Sequence, residues 1–89
     1  MVSGVSILTS KQIRMARACL SWSVAALAEK SLVSVSTVKR LETETGFSKA
    51  TKSNITAVQK TFEAEGVEFI GLQDEGPGVR LWPRKRADN

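Results

Sequence analysis

Twenty residues from Ser23 to Glu42, SVAALAEKSLVSVSTVKRLE, constrain this chain more than any other stretch. Their apolar positions recur at helical spacing twice, with a short break between. Val24, Leu27 and Ala28 are the inner positions of a first pattern that runs from Val24 to about Lys30. Ser31-Leu32-Val33 interrupts it, and Ser34 is placed to cap a second pattern of roughly Val35 to Thr43. Within the second pattern Val38 and Leu41 share one face, which sends Val35, Ser36, Lys39 and Arg40 to the other. The spacing predicts a helix-turn-helix, two short helices joined by a tight turn, whose second helix is suited to a DNA major groove.

The rest of the chain reads as scaffold around that unit. Leu8-Thr9-Ser10-Lys11-Gln12-Ile13 is a helix start: Thr9 caps, Gln12 completes a capping box, and Leu8 staples onto Ile13. This helix runs to about Leu20, burying Ile13, Ala16 and Leu20, with Arg14 and Arg17 flanking that face. Trp22 is expected to pack between the first two helices, with base stacking as the alternative use of its ring. Cys19, the single cysteine, is expected to be a small packing residue. Thr43 to Ser48 reads as a loop with Gly46 at a turn position. A fourth helix starts at Ser48 or Thr51, turns Ile55, Val58, Thr61 and Phe62 inward, and ends at Gly66. Lys49 and Lys52 lie around its start, where backbone N–H groups and the helix dipole favour a phosphate.

After Gly66 the period becomes strand-like. Residues 67–72 and 79–82 form two strands joined through Gly76-Pro77-Gly78. An isolated hairpin is marginal in water, so this one must rest on the fourth helix or on a second copy of the chain. The expected fold is mainly α. A flexible N-terminus (residues 1–7) leads into a four-helix helix-turn-helix domain (8–66). A short C-terminal β-hairpin (67–82) and a disordered basic tail (83–89) complete it.

Charge is distributed unevenly. Residues 11–60 hold nine Lys/Arg against three Glu, residues 61–79 hold five acids and no base, and residues 80–89 hold four bases and one acid. A basic front half suits a polyanion, and the acidic segment belongs away from it. One cysteine and no histidine argue against a disulfide framework, a zinc site and the commonest general base. A glycine-rich phosphate loop is absent as well. The chain therefore reads as a non-enzyme with no catalytic residue, metal or cofactor and no evident small-molecule ligand. No apolar run approaches the ~20 residues of a membrane span, and the first residues lack the layout of a signal peptide. A cytoplasmic, nucleoid-associated protein is the expectation.

The segments ARACLSW, LAEKS and VSVSTVKRLE, within Leu8 to Glu42, resemble the lambda-repressor-like helix-turn-helix family, the XRE or Cro and phage-repressor type of transcriptional regulator. NITAVQKTFEAEGVEFI followed by GPGVRL is similar to small stand-alone bacterial members, so the resemblance covers about residues 8–82. It implies that Leu27, Ala28, Val38 and Leu41 hold the two motif helices together. It also implies that Arg17 and Glu42 form a salt bridge in which Arg17 is oriented toward a DNA phosphate. Its base-reading positions fall on Val35, Ser36 and Lys39, with Arg40 a turn further on. Lys39 or Arg40 would donate to guanine, Ser36 to several bases, and Val35 would touch a thymine methyl. Ser34 and Thr37 fall to phosphate contacts or capping, and either Lys39 or Arg40 is equally suited to clamp a phosphate. Two positions depart from the family: Leu32 replaces the glycine of the turn, and Val24 replaces a phosphate-contacting glutamine. A leucine there is either strained by roughly 1 kcal/mol or sits in a turn of different shape.

Two functions follow as expectations. The first is a sequence-specific regulator that binds double-stranded DNA as a homodimer on a two-fold operator, paired through its C-terminal hairpin. The second is a protein-interaction module, such as an antitoxin or antiactivator, that keeps the helix-turn-helix scaffold and uses the hairpin and residues 61–79 as its partner surface. The basic tail would add non-specific affinity for DNA or simply keep the chain soluble.

Overall fold

Every helix among the described residues begins where a serine or threonine oxygen accepts a backbone N–H. Thr9, Ser23, Ser34, Thr43 and Thr51 accept from Gln12, Ala26, Thr37, Gly46 and Asn54, respectively. Each satisfies one of the donors that a helix start leaves unpaired. The structure, a computed structural model, describes residues 7–72 and 74–83. The caps define α1 (Ser10–Leu20), α2 (Val24–Ser31), α3 (Val35–Leu41), α4 (Glu44–Ser48) and α5 (Lys52–Ala64). β1 (Val67–Ile70) and β2 (Gly78–Leu81) follow as an antiparallel pair. The fold is mainly α with a C-terminal hairpin, but the described residues form five helices rather than four. No helix among the described residues is long and apolar enough to cross a membrane.

The additional helix is α4, which replaces the expected loop at Thr43 to Ser48. Its five residues bury none of their number, so no apolar period announces it. Thr43 makes it: Oγ1 accepts from Gly46 N–H at 3.0 Å and donates to the Arg40 carbonyl at 2.9 Å. Gly46 serves close approach rather than a turn, because a Cβ there would overlap the Arg40 carbonyl oxygen. α4 is thereby seated on the last turn of α3. Of the two candidate starts for the following helix, Thr51 is the cap.

The core joins Ile13 and Ala16 of α1, Leu27 and Ala28 of α2, Val38 and Leu41 of α3, and Val58 and Phe62 of α5. Phe62 is its centre. The Trp22 ring stacks on it at 5.7 Å, and Phe69 of β1 meets its edge at 6.0 Å, both favourable aromatic arrangements. Trp22, expected between the first two helices, thus packs on the ring of α5, with Lys30 covering it at 5.3 Å. Two further expectations are corrected. Cys19 is exposed rather than packed, because α1 turns that face to solvent. Ile7, assigned to the flexible leader, is buried, and its N–H donates to Gln59 Oε1 at 3.4 Å. The remainder of that leader and, beyond Pro83, the basic tail lie outside the described residues.

The hairpin rests on its own chain. Val67 pairs with Leu81 and Phe69 with Val79 on one face, and Val67 and Phe69 are buried there. On the other face Glu68 pairs with Arg80, bridging it at 3.5 Å and accepting from Trp82 Nε1 at 2.7 Å. Gln12 joins the hairpin to α1. Its Oε1 accepts from Leu8 and Thr9 N–H, and its Nε2 donates to the Ile70 and Gly78 carbonyls at 3.3 and 3.1 Å. The side chain that completes the capping box therefore also ties the loop end of the hairpin to α1.

Candidate nucleic-acid interface

α2 ends at Ser31, and its C-cap is Leu32 in a left-handed conformation, φ 61° and ψ 31°. This selects the strained form of the turn over one of different shape. Leu32 is 93% exposed, so its side chain gains no packing in return for the conformation. Val33 is buried, and its N–H closes the helix on the Ala28 carbonyl at 3.2 Å. Three residues, Leu32 to Ser34, therefore connect α2 to α3, a helix-turn-helix connection.

α3 is divided by its period. Val38 and Leu41 are fully buried, whereas Val35, Ser36, Lys39 and Arg40 are exposed. Those four are the residues assigned by sequence to base contacts, and the fold brings them together on one surface. Ser34 and Thr37 are engaged in capping. Ser34 Oγ accepts from Thr37 N–H at 3.1 Å and donates to Thr37 Oγ1 at 2.8 Å. Arg40 Nη2 donates to the same Thr37 oxygen at 3.3 Å, which draws the guanidinium back along the helix. The remaining N–H groups of Arg40 outnumber this one bond, so the side chain retains donors for a ligand.

Arg17 and Glu42 pair as the resemblance implied. Arg17 Nε donates to one carboxylate oxygen at 2.7 Å and Nη2 to the other at 2.9 Å, a bidentate fork. Nη1 donates to the Trp22 carbonyl at 3.1 Å, so the guanidinium is fixed by α3 and by the chain entering α2. Hydrogen bonding to Glu42 raises the Arg17 pKa above its ordinary value, against partial burial, which lowers it. The charge is therefore permanent and directed. Glu42 cancels much of it at short range, leaving two N–H groups of the fork for another acceptor.

Lys49 and Lys52 are both exposed, but the fold separates their surroundings. Lys49 lies with Arg40, Thr37, Thr51 and Asn54 along a groove of about 240 Å³ between the end of α3, α4 and the start of α5. Lys52 is the first residue of α5 and does not line this groove. Asn54 was not singled out by the sequence reading. No local pattern marks its side chain, because the Thr51 cap engages only the Asn54 backbone N–H. The groove gathers two cations and an amide beside the exposed face of α3, a setting able to hold an anionic oxygen. No protein-family model, curated protein or solved structure matches the chain.

Proposed function

We propose that this chain is a sequence-specific, double-stranded DNA-binding transcriptional regulator of the lambda-repressor-like type, acting in the cytoplasm as a homodimer. The observation that carries the reading is the two-faced α3. Val38 and Leu41 anchor it, while Val35, Ser36, Lys39 and Arg40 are presented to solvent directly after the turn. In the major groove, Lys39 and Arg40 would supply donors for guanine O6 and N7, Ser36 a hydroxyl, and Val35 a methyl surface for thymine. Arg17, held by Glu42, and Lys49 beside Arg40 supply cations for the flanking phosphates.

Dimerisation follows from the hairpin. A two-stranded sheet has unpaired edges, and Leu81 and Trp82 at the end of β2 are about half exposed. Pairing there would double the sequence read and set half-sites about one DNA turn apart. The same exposed residues favour the second reading, a protein-interaction module on this scaffold. Selection from a random duplex library distinguishes the two. Recovery of a two-fold site whose affinity falls steeply with salt supports the regulator. Absence of duplex affinity even at low salt overturns it and leaves the interaction module.

A further inference from the structure

The two outer edges of the hairpin differ. Trp82 N–H donates to the Gly66 carbonyl at 2.8 Å, a bond that continues the register of the ladder by one pair. Pairs of an antiparallel ladder alternate, so Glu68–Arg80 and Ile70–Gly78 are the other hydrogen-bonded pairs. The N–H and carbonyl groups of Val67 and Phe69 on β1, and of Val79 and Leu81 on β2, therefore point away from the hairpin. Val67 and Phe69 are 3% and 1% exposed, so the edge of β1 is closed. The edge of β2 is open. Val79 is partly buried, Leu81 is 44% exposed, and no third strand among the described residues pairs with it.

The open stretch is short, and its ends are set. Pro77 and Pro83 have no N–H, so a ladder on this edge stops at them. Side chains divide by parity. Val79 and Leu81 share the inner face with Phe69, while Arg80 and Trp82 share the outer face with Glu68. There Arg80 lies over the ring of Trp82 at 5.4 Å and bridges Glu68.

Three antiparallel registers let a second copy meet this edge through its outward groups. With Arg80 opposite itself, two guanidiniums face each other, which is unfavourable. With Val79 opposite itself, Leu81 meets the partner's Pro77, Arg80 meets the partner's Gly78, and Trp82 stays uncovered. With Leu81 opposite itself, Arg80 stands directly across from the partner's Trp82. That pair is of the closely spaced type, about 4.5 Å between Cα atoms, and sets a cation against an aromatic ring. Only in this register does the edge complement itself.

We propose that β2 pairs antiparallel with β2 of a second copy, with Leu81 on the two-fold axis. The inference deepens the homodimer of the proposed function and rests on that reading. Leu81 N–H donates to the partner's Leu81 carbonyl and Val79 N–H to the partner's Pro83 carbonyl, and symmetry makes each bond twice. Pro83 ends the ladder on both sides, and the closed edge of β1 admits no further strand, so the assembly stops at two copies.

Sedimentation and amide exchange of the full chain, without DNA, test the pairing. As concentration drives the chain into dimers, exchange at the Val79 and Leu81 N–H groups should slow by about tenfold or more. The Arg80 and Ile70 N–H groups, bonded within the hairpin, should not respond. Arg80→Thr, an exposed substitution, should weaken the dimer by about fivefold or more, because each copy loses the cation opposite its partner's ring. Trp82→Ala should weaken it comparably, with the double variant losing less than the product of the two. A tighter dimer for Arg80→Thr would set Arg80 opposite itself and overturn the register. Slowing confined to other amides would overturn the pairing and leave a homodimeric regulator standing. A chain that stays monomeric at millimolar concentration would overturn both the pairing and the homodimer, whereas selectivity for a duplex is read separately.

Discussion

The α2–α3 unit and the hairpin are both held to one core, but by different means. α2 and α3 are fixed by apolar side chains within one short stretch, Leu27, Ala28, Val38 and Leu41, all buried. The hairpin buries Val67 and Phe69 and then depends on Gln12, which reaches carbonyls 58 and 66 residues away. Burial of a local apolar face is non-directional and tolerates small shifts. A buried amide with four hydrogen bonds holds only if all its partners stay in place. The helical unit should therefore survive damage that detaches the hairpin, and the reverse should not occur.

Phe62→Ala is the largest test because that ring serves both regions, through Trp22 and through Phe69. A loss of about 3–5 kcal/mol in chemical denaturation is expected, with both regions unfolding together. Gln12→Ala should separate them. It leaves the Ile70 and Gly78 carbonyls and the Leu8 and Thr9 N–H groups without their partner, at a cost of about 2–4 kcal/mol. Amide exchange should then accelerate in β1 and β2 well before α2 and α3; uniform acceleration would mean that the two regions are one cooperative unit. Gly46→Ala has a smaller effect than either and acts at the end of α3. Forcing a methyl against the Arg40 carbonyl should cost about 1–3 kcal/mol and shift α4 resonances first.

The smallest effect has the opposite sign. Leu32→Gly relieves a left-handed leucine, worth about 1–2 kcal/mol, and loses no packing because the side chain is exposed. The added freedom of glycine in the unfolded chain returns about 0.5–1 kcal/mol of that. A net gain of about 0–1.5 kcal/mol is expected, visible as a small rise in melting temperature. A drop would mean that Leu32 makes a contact that stabilises the turn.

The same contrast explains what the sequence made legible. Val38, Leu41 and their outward neighbours could be assigned because helical period alone decides which side faces the core. The Thr9-Gln12 capping box was likewise local and visible. α4 was missed because a five-residue helix with nothing buried has no period to read, and its cap, Thr43, looked like one more loop residue. The second role of Gln12 depends on chain folding back from residues 70 and 78, which no local pattern reports. Trp22 was placed against its sequence neighbours, whereas Phe62, forty residues on, is its stacking partner. Of the candidate interface, the exposed set on α3 and the Arg17–Glu42 pair were legible; the grouping of Arg40, Lys49 and Asn54 in one groove was not.

The central claim is that the exposed face of α3 meets DNA, and it is tested most directly by comparing two charge removals of equal size. Arg40→Ala and Lys60→Ala each delete one exposed cation, the first on α3 and the second on α5. Binding is measured against a selected duplex and a random one at several salt concentrations. Arg40→Ala should weaken the selected duplex by about 1–3 kcal/mol and relax preference at one base position. Lys60→Ala should leave both duplexes nearly unchanged. Identical behaviour of the two variants, or a parent chain that does not distinguish the duplexes, would contradict the account.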